Sequence, residues 1–348
     1  MDLIDIFLKA AMDKRSIYKV FSFIGMAKNV GKTTTYNYII KHIPSNLTLG
    51  LTSVGRDGEK KDILTQLPKP KIPVLAGNVV ATAEECLIRS NFRKRILATT
   101  NITSALGKII ILEVLAKGYI ELSGPSMVND LGKVCNLLKE LGANLVLIDG
   151  AFDRKSFASP LIAQATILAT GAALSHDMDE VVDQTRYTIQ NLSIPALSDN
   201  NAKKQILQFY EIHRAGLMEE DYSIKKFHVT TALNATSKII ESISSSTRYI
   251  LIKGIVSTDL IEQLVKRNIN ISNLTILAED GTKIFVPPVL LTQFYNKGGS
   301  VRVLRPIHIL AVTANPVSPY GFRFNQKEFL KRLREHLEVP VFDVVGGG

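Results

Sequence analysis

Tryptophan is absent from this sequence, cysteine occurs only twice and proline 13 times in 348 residues. Cys86 and Cys135 each sit inside a helical pattern, neither at ligand spacing from a histidine, which excludes a disulfide framework and a zinc site. Scarce proline, with 46% hydrophobic and 21% charged residues, excludes disorder and collagen-like repeats. No apolar run reaches the roughly 20 residues that span a bilayer. The longest, Lys108 to Val114 and Asn144 to Ile148, are strand-sized, so no membrane partner is expected. Met1 to Val20 lacks a long apolar core and a small-residue cleavage site, so no secretory signal is expected and the cytoplasm is the natural compartment.

Positive charge is in excess: 42 Lys and Arg against 32 Asp and Glu give +10, which suits a phosphorylated ligand, anionic lipid or nucleic acid. The basic residues are scattered, however. Their densest groups, Lys60-Lys61, Arg93-Lys94-Arg95, Lys225-Lys226 and Lys331-Arg332, carry no interleaved aromatics of a stacking platform, so a solvated basic face is expected rather than a nucleic-acid interface. The histidines (His42, His176, His213, His228, His308 and His336) are dispersed, and no Ser/His/Asp or Cys/His set assembles from their spacing.

A length near twice the usual domain size accommodates two domains, or one α/β domain with an insertion. From Tyr18 to Val345 strands, turns and helices alternate, which predicts an α/β fold: a doubly wound, mostly parallel sheet with helices on both faces. Strands are expected at Tyr18–Ile24, Leu47–Val54, Asn144–Ile148, Thr166–Thr170, Ile307–Val312 and Val339–Val345. Lys108–Val114 and Gly118–Leu122 read as a strand pair, and Pro68, Pro70 and Pro73 as a loop. Ser126 is placed to cap a helix that stops at Gly142. Residues 201–300 break the rhythm and read as an α/β insertion, with a hairpin at Asp280-Gly281. The expected domains are thus 1–200, the insertion 201–300, and 301–348 returning to the first sheet.

The strongest chemical signal is Gly25-Met26-Ala27-Lys28-Asn29-Val30-Gly31-Lys32-Thr33-Thr34 between a strand and a helix. Gly31 lets the backbone approach a phosphate, and the amides entering the helix point at its oxygens. Lys32 would set a cation against the β and γ phosphates, and the Thr33 hydroxyl would bind Mg²⁺. Five residues separate Gly25 from Gly31, one more than in G-x-x-x-x-G-K-[ST], so the bland alternative is an ordinary strand-to-helix turn.

Mg²⁺ prefers octahedral oxygen ligation, which calls for a carboxylate. Asp149 follows an apolar strand, the context of a Walker B acid; as a plain residue it would cap a turn. Asp57, in Gly55-Arg56-Asp57-Gly58, would reach the metal or γ-phosphate from a switch loop; otherwise it is an Asp-Gly turn. Arg154 and Lys155 would neutralise charge on a transferring phosphoryl group, or are exposed loop cations. The Asn315 amide suits the edge of a purine base, although Asx-Pro also starts ordinary turns.

On these residues the chain resembles the SIMIBI class of P-loop NTPases, in particular dethiobiotin synthetases. Gly25 to Thr34 is similar to their loop, Asp149-Gly150-Ala151 to their Glu-Gly-Ala metal motif with Asp in place of Glu, and Ile307 to Asn315 to their base-recognition strand. Residues 15–195 and 300–348 share the likeness, and the insertion lies outside it. Phe152-Asp153-Arg154 replaces a glycine pair, and the synthetase's substrate-binding lysines have no match, so biotin chemistry is not carried over.

A narrower likeness is to the ATP-binding reactivase subunits associated with lysine 5,6-aminomutase. It is carried by Gly25 to Thr34, Asp149 to Arg154 and Thr313-Ala314-Asn315-Pro316-Val317-Ser318-Pro319. That resemblance implies ATP and Mg²⁺, a cobalamin-dependent aminomutase as client and a second reactivase subunit as partner. Three functions stay open: a reactivating ATPase, an ATP-dependent ligase or kinase of the synthetase type, and a nucleotide-dependent nucleic-acid module.

Overall fold

The computed structural model describes residues 2–12, 18–54, 71–150, 162–267 and 269–344. The chain divides into two compact units, Met1–Arg186 with His308–Gly348, and Tyr187–Ile307. In chain order the first unit holds α1 (Leu3–Met12), β1 (Val20–Gly25), α2 (Lys32–His42), β2 (Leu49–Ser53), β3 (Ile72–Val74), β4 (Val79–Ala83) and α3 (Glu84–Ile88). It continues with β5 (Lys94–Ser104), β6 (Gly107–Val114), β7 (Gly118–Ile120), α4 (Val128–Glu140), β8 (Leu145–Asp149), β9 (Ala165–Gly171) and α5 (Met178–Leu192), within which the second unit begins.

The second unit holds α6 (Asn200–Ile212), β10 (Ala215–Glu219), β11 (Ile224–Phe227), α7 (Thr236–Ser242), β12 (Thr247–Ile252) and β13 (Val256–Ser257). After these come α8 (Thr258–Lys266), β14 (Thr275–Ala278), β15 (Ile284–Phe285), α9 (Pro288–Asn296) and β16 (Ser300–Val303). The first unit then resumes with β17 (Ile309–Asn315), α10 (Gln326–His336) and β18 (Val341–Phe342).

The protein is α/β. A nine-stranded sheet runs in the order β18-β17-β9-β1-β8-β2-β4-β6-β5. Every neighbouring pair from β18 to β4 is parallel, and only the β4-β6-β5 edge is antiparallel. β1, β2, β8 and β9 are buried along their whole length, as strands covered on both faces must be. Period-2 alternation splits their side chains between two cores. Phe21, Phe23, Leu51 and Leu147 pack with Phe7 of α1 and Tyr36, Ile39 and Ile40 of α2. Val146 and Ile148 pack with Leu131, Val134 and Leu138 of α4. Because the central strands are parallel, Gly25, Ser53, Asp149, Gly171 and Asn315 finish on one edge of the sheet.

Several local expectations are corrected. Gly118–Leu122 does not pair with Lys108–Val114: β6 lies between β4 and β5, while β7 pairs antiparallel with β3. Pro73 is inside β3, tolerated because a two-stranded sheet offers it an edge. Helix α4 starts after Met127 with no side-chain cap, so Ser126 is not its N-cap; the stop at Gly142, φ +104°, is as expected.

In the second unit, β12, β14 and β16 run parallel and β10 and β11 extend the sheet antiparallel. Asp280-Gly281 is not a hairpin, since β14 and β15 belong to different sheets. Asp280 instead accepts from Thr282 N–H at 2.9 Å to open a short helical turn. Gly281 is required by crowding rather than by turn geometry: a Cβ there would lie 2.2 Å from the Asn191 carbonyl oxygen. The unit is wider than 201–300 because the end of α5 and the segment after it belong to it, Ala196 bridging Val303. Among the described residues no helix is long and apolar enough to cross a membrane.

Candidate functional site

The segment between β1 and α2 is held from several sides. Met26 N–H donates to Ala169 O of β9 at 3.0 Å, which fixes the exit from β1. Asn29 has φ +62° and Gly31 φ +87°, both left-handed, and Val30 between them is buried. Gly31 precedes α2 and has no side chain with which to cap it. The first intrahelical bond is Thr35 N–H to Gly31 O at 3.0 Å, so the amides of Lys32, Thr33 and Thr34 have no acceptor within the helix. Together with the helix dipole they form a site of positive potential suited to an anion.

Asp149, the last residue of β8, lies beside β1 in the sheet, with Phe23 paired to Asp149. It is only 3% exposed, and the Lys32 ammonium donates to its Oδ1. Asp149 O accepts from Val54 N–H at 3.1 Å, and Gly150 N–H donates to Phe23 O at 2.8 Å. A Cβ on Gly150 would lie 2.7 Å from that same oxygen, so glycine is demanded by the close approach of two backbones. Beneath the pair, the Tyr36 hydroxyl donates to Leu147 O at 3.1 Å, tying α2 to the strand that carries Asp149. Burial, reinforced by the Asp149 charge, holds the Tyr36 phenol well above its ordinary pKa, so it stays a neutral donor.

Asn315 closes the other side. Its Nδ2 donates to Asn29 O at 3.0 Å, and its Oδ1 accepts from Val317 N–H at 3.1 Å. Two residues earlier, the Thr313 and Thr35 hydroxyls are 2.8 Å apart and buried.

The fold therefore brings Gly25, Lys28, Asn29, Val30, Gly31, Lys32, Thr33, Thr34, Asp149 and Asn315 to one edge of the sheet. Asp57, Arg154 and Lys155 lie outside the described residues. The Thr35–Thr313 link and the Tyr36 hydroxyl were not singled out from the sequence. Tyr36 reads there as a core position at helical spacing, and only a polar atom on an otherwise apolar helix face hints at its second role.

No family model matches this chain, and no curated protein or solved structure matches it either. Among the described residues no group of three or more His, Cys, Asp or Glu side chains is placed to hold a metal ion. A hydroxyl-plus-carboxylate donor set is a different arrangement, because Mg²⁺ bound with a triphosphate keeps several waters and needs few protein ligands. Thr33 follows Lys32, whose ammonium is on Asp149, so both hard oxygen donors attach to adjoining elements at the mouth of α2.

Proposed function

We propose that this chain is a doubly wound P-loop NTPase that binds ATP with Mg²⁺ and hydrolyses it. One observation carries this reading: the Lys32 ammonium rests on the buried Asp149 carboxylate at the mouth of a helix whose first amides have no acceptor within the helix, where parallel strands end. The amides of Gly31 to Thr34 would receive phosphate oxygens, and Lys32 would exchange Asp149 for the β and γ phosphates. Thr33 and Asp149 would hold Mg²⁺, which when bound supplies charge neutralisation to the phosphate oxygens. Water attacks the γ-phosphorus, the bond to the bridging oxygen breaks, and ADP and phosphate leave. Such chemistry is chiefly positioning and charge stabilisation, so a slow basal rate that rises with a partner is expected.

The client is proposed from likeness alone. The stretches shared with reactivase subunits support an ATPase that helps exchange damaged cobalamin on an aminomutase, together with a second subunit. Calorimetric titration with MgATP and turnover by wild type and Lys32→Ala, each with and without the aminomutase, test the reading. Binding and turnover in the wild type alone are expected. Equal rates in the two proteins, or no heat of binding, would remove the enzyme reading.

A further inference from the structure

Asn315 was expected to read the edge of a purine, a task that needs its donor and acceptor turned outward. In the structure one N–H and one lone pair of this half-buried amide are already engaged by backbone groups of the protein. Val317 N–H requires an oxygen and the Asn29 carbonyl requires an N–H, so the two bonds also decide which way the amide is turned. The carbonyl it holds belongs to a residue at φ +62°, in the left-handed region that asparagine enters more readily than most side-chain-bearing residues. In a trans peptide the carbonyl and the following N–H point to opposite sides. Drawing Asn29 O toward β17 therefore turns Val30 N–H away from β17. The fit is close: a Cβ on Gly31 would lie 3.3 Å from Asn315 Cβ, and one on Gly171 would lie 2.4 Å from Asn315 O. The Thr35–Thr313 hydroxyl pair fastens the same strand to the next turn of α2.

We infer that Asn315 is a positioning residue for the anion-holding loop, setting the direction of the Val30 amide, rather than a reader of the base; this rests on the triphosphate reading proposed above. A brace on the loop acts on any ligand bearing the phosphates, whereas a base reader acts only on a nucleotide. Inorganic tripolyphosphate separates the two.

Titrations of wild type, Asn315→Ala and Asn315→Asp with Mg²⁺-tripolyphosphate, MgATP and MgGTP form the test. Asn315→Asp keeps an oxygen for Val317 N–H but has no donor for Asn29 O, and it serves if the alanine variant does not fold. Each variant is expected to weaken tripolyphosphate and ATP by the same factor, about tenfold for the one lost orienting hydrogen bond in Asn315→Ala and more in Asn315→Asp, whose added charge also repels the phosphates, with the ATP-to-GTP ratio unchanged. Weakening confined to the nucleotides, a changed ATP-to-GTP ratio, or a lowered melting temperature with unchanged affinities would each overturn the inference. Tripolyphosphate bound equally well by the wild type and by the variants overturns it alone, whereas a wild type that binds none of the three ligands overturns the triphosphate reading as well.

Discussion

Lys32 and Asp149, 117 residues apart in sequence, meet as an ion pair whose carboxylate is almost wholly buried and whose ammonium side chain is 17% exposed. Removing Lys32 takes the cationic partner shown here from a buried carboxylate. Lys32→Ala is expected to destabilise the ligand-free protein by about 3 kcal/mol, read by urea denaturation. Adding Asp149→Asn should recover most of that stability without recovering ATP binding. A double variant as unstable as the single one would show that the pair does not couple.

Gly31→Ala places a Cβ on a left-handed residue and against Asn315. The expected cost is about 1–2 kcal/mol of stability, with loss of tripolyphosphate binding. Thermal melting and calorimetry check both parts.

Thr35→Val leaves the buried Thr313 hydroxyl without its 2.8 Å partner, at an expected cost of about 1–2 kcal/mol. The double variant Thr35→Val with Thr313→Val removes both groups and should cost less than the sum of the singles. Strict additivity in a denaturation cycle would count against the link.

Cys135, buried in α4, has its thiol pushed up to about 12 from an ordinary 9.0, chiefly by burial. A raised pKa in the folded state means that the unfolded chain releases its proton first. The resulting stability is fully present below pH 9 and is lost as pH rises toward 12. Unfolding free energy should therefore fall over that window, and fall less steeply in Cys135→Ala once its loss at neutral pH is subtracted. Thiol reagents should modify Cys135 at pH 8 only at the rate of unfolding.

The central strands and the placement of several candidate residues at their ends were legible in the sequence for the same reason. Strands such as Leu145–Asp149 are covered on both faces and read as short apolar runs ending in a polar residue. Helix α2 announces itself through Tyr36, Ile39 and Ile40 on one face. The 74–107 region was illegible: β5 is half-exposed, rich in threonine and irregular in register, so its alternation is blurred. Asn315 was found by its position at the end of an apolar strand, but its partner was not, since a bond to Asn29 spans 286 residues and follows from sheet order rather than spacing.

Strands β9 and β17 are paired neighbours, yet all of Tyr187–Ile307 is encoded between them. A ribosome therefore releases β9 with one edge unsatisfied, and that edge waits while an entire second body is made. Asn315, Thr313 and the rest of β17 arrive only after that second body has been made, so the nascent protein cannot acquire a finished loop before it. Truncated products ending before Ile309 should expose a bare strand and be prone to aggregate or to recruit chaperones.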